Sequence, residues 1–275
     1  MAKAKIAPKE KFRQLFGKSK ALIGMVHVEA LPGTPDFEGS MQAVIDGALR
    51  DAATLKEAGF DAILIENMHD LPYLNREVGH EISSAMAIIG YLIKRAFQMP
   101  TGMQILAGAN HAAMAAANSG GLDFIRAEGF VFSHVADEGL MNADAGNLLR
   151  FRKNIGAENI LVFSDIKKKH SAHTITADVD LLETAEAAAF CKSDGIIVTG
   201  TSTGKKTSQA DLNALLSQSL PVIVGSGITA DNLPEYIELA DAFIVGSWLK
   251  TDGNWRNPVD YSRASQLAKI FKANL

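Results

Sequence analysis

Eight short apolar runs, most of them rich in β-branched residues, recur along this chain, each followed by a longer stretch with helical spacing. The runs cover residues 22–28, 62–68, 102–107, 124–130, 160–166, 195–199, 222–225 and 242–246. They are nearly continuous in apolar character, as strands buried on both faces are. After the first run, Met41, Val44, Ile45, Ala48, Ala52 and Leu55 recur at helical spacing, and Gly59 stands where a C-terminal cap belongs. Thr229 and Asp231 offer caps for a helix with Pro234 in its first turn. Asn257 and Pro258 mark the start of a last helix, whose apolar face is Leu267, Ile270 and Phe271.

Eight βα units in 275 residues predict an α/β fold, a single (β/α)8 TIM barrel over residues 21–275. The alternative is an open doubly wound sheet. Closed barrels bind at the C-terminal ends of their strands and open sheets at a reversal of strand order, so both direct attention to the segments just after each strand.

Residues 1–20 stand apart: Lys3, Lys5, Lys9, Lys11, Arg13, Lys18 and Lys20 face only Glu10. The segment lacks the apolar core of a secretory signal and reads as a solvated basic N-terminal arm, with a targeting role as the alternative. Elsewhere the charge is balanced: net −4 with 7% aromatics gives no basic face for nucleic acid. No apolar run reaches the ~18 residues of a membrane span. The single cysteine, Cys191, excludes an intrachain disulfide and fits a reducing compartment, so a cytoplasmic location is expected. A homo-oligomer is compatible with all of this.

The most specific local signal is Val224-Gly225-Ser226-Gly227-Ile228-Thr229, after the seventh run. A similar turn, Val245-Gly246-Ser247-Trp248, follows the eighth. Glycine lets the backbone approach an anion closely, and successive amides can point at its oxygens. The loops after strands seven and eight are where this fold commonly holds phosphate. Gly225, Ser226, Gly227, Gly246 and Ser247 are therefore candidate phosphate contacts, with Thr199, Gly200 and Thr203 beside them. Two ordinary Gly/Ser turns are the plain alternative. The segment 199–207 looks like a P-loop but fails the pattern: three residues separate Gly200 from Gly204, and Lys205 is followed by Lys206. It reads as a hydroxyl-rich loop over the pocket.

Polar residues gather at other strand ends. The second run ends in Glu66-Asn67, the fourth carries Arg126 and Glu128, and the fifth ends in Asp165 followed by Lys167, Lys168, Lys169 and His170. In a barrel these ends converge on one mouth, where burial and neighbours tune acids and bases. Asp165, Lys169, His170, Glu66 and Arg126 are the candidate catalytic residues, with His27, Asn67 and Glu128 as further pocket residues. A buried salt-bridge network joining Asp165 to Arg126 is the competing explanation. Glu66, Glu128, Asp165 and His170 are compatible with a divalent cation, although no zinc motif is present and no cofactor is required.

Taken together, these segments resemble the BtpA/SgcQ family from about Phe12 to the end of the barrel. The carrying segments are Ile23-Gly24-Met25-Val26-His27 with Leu31-Pro32-Gly33-Thr34-Pro35, Ile65-Glu66-Asn67 and Phe124-Ile125-Arg126. They continue through Asp165-Ile166 with Lys169-His170, Thr199-Gly200 with Thr203-Gly204, Val224-Gly225-Ser226-Gly227, and Gly246-Ser247 with Leu249-Lys250-Thr251-Asp252-Gly253. The resemblance implies a barrel of the ribulose-phosphate-binding kind. It also carries a link, in cyanobacteria, to accumulation of photosystem I, and settings suggestive of sugar metabolism elsewhere. The chain departs from the family at Ala127-Glu128-Gly129, where relatives commonly have a Val-Asn pair, and in the Lys167-Lys168 that precedes Lys169.

Two functions follow as expectations. The first is an enzyme on a small phosphorylated sugar or nucleotide: an isomerase, lyase or hydrolase working by acid–base chemistry. The second is a non-catalytic assembly or regulatory factor, resembling a photosystem I biogenesis protein, that keeps the pocket as a sensor.

Overall fold

A strand turns successive side chains to opposite faces, so in a closed barrel every second residue points inward. The computed structural model, which describes residues 6–168, 170–200 and 207–275, has this arrangement. In chain order its elements are α1 (Pro8–Phe16), β1 (Ala21–His27), α2 (Met41–Ala58), β2 (Ala62–Glu66), α3 (His80–Phe97), β3 (Thr101–Gln104), α4 (Asn110–Gly120) and β4 (Phe124–Ala127). There follow β5 (His134–Ala136), β6 (Gly139–Met141), α5 (Ala145–Asn154), β7 (Leu161–Ile166), β8 (Ser171–Ala172) and α6 (Leu181–Phe190). The chain ends with β9 (Gly195–Val198), α7 (Gln209–Ala214), β10 (Val222–Val224), α8 (Leu233–Tyr236), β11 (Ala242–Val245) and α9 (Tyr261–Ala273).

Eight parallel strands close in the order β1-β11-β10-β9-β7-β4-β3-β2. Closure is made by β1 pairing with β11, Ala21 opposite Ala242 and Gly24 opposite Val245, which excludes the open sheet. All eight expected strands form, several of them ending short of the apolar run. Where the runs go on, the chain has already left the ladder and turned into a mouth loop.

The two strand faces feed two cores. Leu22, Val26, Ile63, Ile65, Ile125, Val162, Ile196 and Val224 pack outward against the helices. Ile23, Met25, Leu64, Phe124, Phe163, Ile197, Ile223 and Ile244 fill the interior. Gly102 is required there, because a Cβ would lie 2.1 Å from the Phe124 ring.

The interior is closed from below by α1. Its Phe12 and Phe16 are buried in the same cluster, with Phe16 ring centroids 6.0 Å from Phe124 and 6.4 Å from Phe163. Lys11 pairs with Asp194 at 2.6 Å, Lys18 with Asp61 at 2.6 Å, and Lys20 donates to the carbonyls of Ile237 and Ala240. The expected solvated arm is thus corrected over residues 8–20: two aromatic rings four apart on one helix face bury more than the lysines keep in water.

Helix ends follow local chemistry. Ser40 accepts from Ala43 N at 3.2 Å to start α2, and Gly59 ends it at φ +92°. The last helix starts later than expected, at Tyr261, because Asp260 caps it through Arg263 N at 3.0 Å. Before α8 the working pair is Thr229 and Asn232, each side chain accepting from the other's amide, in place of Asp231. A feature absent from the sequence reading is a small antiparallel sheet, β6-β5-β8, which is separate from the barrel sheet. Asn75 Nδ2 donates to the carbonyls of Glu138 and Leu140, at 3.1 Å each, tying the β5–β6 hairpin to the loop after β2.

Candidate active site

Following each inward row two residues past its last core position gives the top layer of the barrel: His27, Glu66, Gln104, Arg126, Asp165, Thr199, Gly225 and Gly246. The period of two therefore brings these residues to one rim, and two adjoining cavities open above them. The first, of about 240 Å³, is lined by His27, Glu66, Arg126, the turn Gly225–Thr229, the turn Val245–Trp248 and Gly253. The second, of about 230 Å³, shares Glu66, Met68 and Arg126 with the first and adds Tyr73, Gln104, Glu128, Lys168, His170 and Trp255.

Both glycine turns face the first cavity. A Cβ on Gly225 would lie 2.4 Å from Ile197 Cγ2, and one on Gly246 would lie 3.0 Å from His27 Nε2. Gly227 takes φ +75°, a conformation only glycine adopts cheaply. Among the described residues, the amides of Gly227 and Ile228 donate to no partner. Gly225 N and Gly200 N are committed instead, to Val198 O at 2.8 Å and to Ser226 Oγ at 3.0 Å. Gly200 is corrected accordingly: its amide braces Ser226. Thr199 is buried beside Gly225, whose added Cβ would meet Thr199 Cγ2 at 3.0 Å. Thr203 and Lys169 lie outside the described residues, as do Lys205 and Lys206.

The turn after β11 is anchored at depth. Lys250, fully buried, donates to Asp51 Oδ2 at 2.6 Å, and Asp51 Oδ1 accepts Val259 N at 2.8 Å. Burial lowers the Lys250 pKa, against the pull of Asp51. The pair fixes the wall between Gly246 and Gly253 against α2.

Arg126 and Asp165 form a bidentate pair, Nε to Oδ2 at 2.8 Å and Nη2 to Oδ1 at 2.9 Å. Burial works against the Arg126 charge, but Asp165, with Glu66 and Glu128 beyond, holds its pKa above the ordinary value. Nη1 has no hydrogen-bond partner among the described residues, while Arg126 lines both cavities. Asp165, expected as a base, has both oxygens on Arg126 and a side chain with no exposed surface. It positions Arg126.

His27 and Glu66 meet across the strand pair, Nε2 to Oε2 at 3.9 Å. Because His27 Nδ1 must donate to the carbonyl of Trp255, at 3.0 Å, its Nε2 is the atom turned toward Glu66 and Gly246. In the second cavity Glu128 accepts from Gln104 Nε2 at 3.1 Å and from Lys168 at 3.1 Å. Burial disfavours the Lys168 charge, yet Glu128 raises its pKa above the ordinary lysine value. Tyr73 stays a neutral phenol, its pKa pushed up by burial and by Glu66, and donates to Met68 O at 2.7 Å.

His170 is brought to the second cavity as expected. Asn67 is not: its Oδ1 accepts Leu106 N at 2.7 Å and its Nδ2 donates to Asp70 at 2.8 Å, so it braces the loop. Gln104 and Lys168 were missed. Gln104 was within reach, being the next inward position after Gly102; Lys168 sits on a loop, where no period applies. No three His, Cys, Asp or Glu side chains converge on a metal position among the described residues, because Asp165 and Glu128 are spent on cations. No helix of the described residues is long and apolar enough to cross a membrane.

Comparison with known proteins places this site in context. The profile of the BtpA family matches residues 18–273. A Caenorhabditis elegans protein described as uncharacterized and mitochondrial is 46% identical over 93% of this chain and 95% of its own length. The photosystem I biogenesis protein BtpA of Synechocystis is 32% identical over 95% of this chain and 91% of its own. Among solved structures, 3-hexulose-6-phosphate synthase from Salmonella typhimurium superposes with TM-score 0.58 at 16% identity, covering 93% of this chain and 100% of that one. N-(5'-phosphoribosyl)anthranilate isomerase from Pyrococcus furiosus gives TM-score 0.56 at 12% identity, covering 92% and 99%. At such identities the likeness is one of fold.

Proposed function

Because this chain belongs to the BtpA family, with the family profile spanning its whole barrel, we propose that it is an enzyme acting on a small phosphorylated sugar or nucleotide. One observation carries the reading: a single cavity has two glycine turns on one side and His27, Glu66 and Arg126 on the other. The unspent amides of Gly227 and Ile228, with Ser226 and Ser247, would hold the phosphate. That anchor converts binding energy into orientation of the reacting carbon. Glu66 then takes a proton, His27 Nε2 returns or relays it, and Arg126 Nη1 stabilises the oxygen charge that develops. Such proton transfer serves an isomerase, a lyase or a hydrolase. The solved neighbours named above are called a phosphate-sugar synthase and a phosphoribosyl isomerase, which supports the substrate class by analogy of fold. The lone Cys191 fits work in a reducing compartment such as the cytoplasm.

The test is a turnover screen over phosphorylated sugars and nucleotides, followed by Glu66→Gln on whichever is consumed. Turnover is expected to fall by roughly 10²–10⁴ with KM nearly unchanged. Full activity in the variant would remove Glu66 from the chemistry, and failure of the wild-type protein to bind any phosphate ester would remove the substrate class.

The cyanobacterial relative supports a second reading, an assembly or regulatory factor. Exposed Leu74, Val135 and Leu140 offer such a factor an apolar contact. It predicts phosphate-ester binding without turnover.

A further inference from the structure

Resting on the phosphate reading above, a different question concerns what fills the second cavity. On that reading the first compartment, about 240 Å³, takes the phosphate end of the ligand, and a second compartment of about 230 Å³ continues from it across Glu66 and Arg126. Together they fall within the ~300–1,000 Å³ typical of small-ligand sites.

The second compartment contains two buried acceptors without partners. Gln104 is 1% exposed and lines it, yet its Oε1 is buried with no hydrogen-bond partner. The orientation of the amide is fixed, because Nε2 must face the Glu128 carboxylate it donates to at 3.1 Å. On the hairpin side, Glu138 Oε2 is likewise buried without a partner. Folded proteins leave few buried acceptors unpaired, since each carries its full desolvation cost. Of the nearby cations, Lys168 is engaged with Glu128, and Arg126 keeps two nitrogens on Asp165 with Nη1 left over; neither pairs with Gln104 Oε1 or Glu138 Oε2. What these two acceptors lack is a donor. The compartment's other walls include Asp137 and His170, while Leu71, Leu106, Tyr73 and Trp255 form an apolar and aromatic side, which suits a flat ring better than a polyol whose every hydroxyl must be satisfied.

We propose that the second compartment receives an amine-bearing planar ring, which donates to Gln104 Oε1 and Glu138 Oε2. The ligand is then a nucleoside-type phosphate, with its phosphate at the glycine turns and its amino-substituted base under the β5–β6 hairpin.

Equilibrium binding to the full-length protein tests this, using inorganic phosphate, ribose 5-phosphate, AMP, CMP, IMP, UMP and adenosine. AMP or CMP is expected to bind at least about tenfold tighter than ribose 5-phosphate and than its own oxo counterpart, IMP or UMP. In Gln104→Leu that preference should fall to within about twofold. Glu138→Ala, a change on the hairpin outside the barrel sheet, should reduce the preference as well, which guards against a folding defect in the first variant. Ribose 5-phosphate binding as tightly as AMP and CMP, or IMP and UMP matching them, overturns the proposal while leaving the phosphate reading intact. Gln104-dependent binding of adenosine with none of phosphate or ribose 5-phosphate supports the ring compartment and overturns the phosphate reading. Binding of no compound in the series overturns both.

Discussion

Arg126 shows how much one position can carry. The strand period turns it inward above Phe124, Asp165 takes two of its nitrogens, and the third has no partner among the described residues. Arg126→Lys keeps the charge but loses the planar fork, so one ammonium cannot satisfy both Asp165 oxygens and still reach the mouth. A buried acceptor left short costs about 1–3 kcal/mol, so the thermal midpoint should drop while turnover falls at least about a hundredfold. Calorimetry and steady-state rates measured together check this; a variant with both values unchanged would show that the fork is unimportant. The same inward period makes His27, Glu66, Arg126 and Asp165 readable from sequence. Gln104 lies inside the apolar run 102–107, where a single amide does not stand out, and the split of roles between Asp165 and Arg126 is set by distances that a sequence does not carry.

At the scale of elements, the strands and most helix ends were legible because each has its own local signal. The exceptions share a cause. Three-residue strands such as β5 and β6 are too short for any period to register, so the hairpin over the mouth was invisible. In α1 the lysines obscured the pair Phe12 and Phe16, although their i, i+4 spacing was present. Removing the Phe16 ring tests what α1 contributes. Phe16→Ala opens a cavity among Phe12, Phe124 and Phe163, and a loss of roughly 3–5 kcal/mol is expected in chemical denaturation. An unfolding midpoint equal to that of the wild-type protein would mean that the helix merely rests on the barrel.

For the whole molecule, acid is the informative variable. His69 is held down to a pKa of about 4 by burial, helped by Lys250 and Arg256. His134 is also held near about 4, by burial and then by Lys168 and His173. Each stays neutral in the folded chain where the unfolded chain, with a pKa of about 6.5, takes up a proton. The unfolded state therefore binds more protons between those values, and stability rises with pH across the window from about 4 to 6.5. On acidification below about 6.5 the thermal midpoint should fall, and His69→Gln with His134→Gln should flatten that slope. An equally steep slope in the double variant would assign acid sensitivity to carboxylates alone.

The aromatic plug contributed by α1 has a further consequence for traffic. With the floor sealed, a molecule that enters the mouth must leave by the way it came, past the hairpin and Trp255. A departing product and an arriving substrate cannot pass each other in such a dead end. On the enzyme proposal above, each turnover then requires the vessel to empty first, and a product analogue should compete directly with substrate for the one doorway.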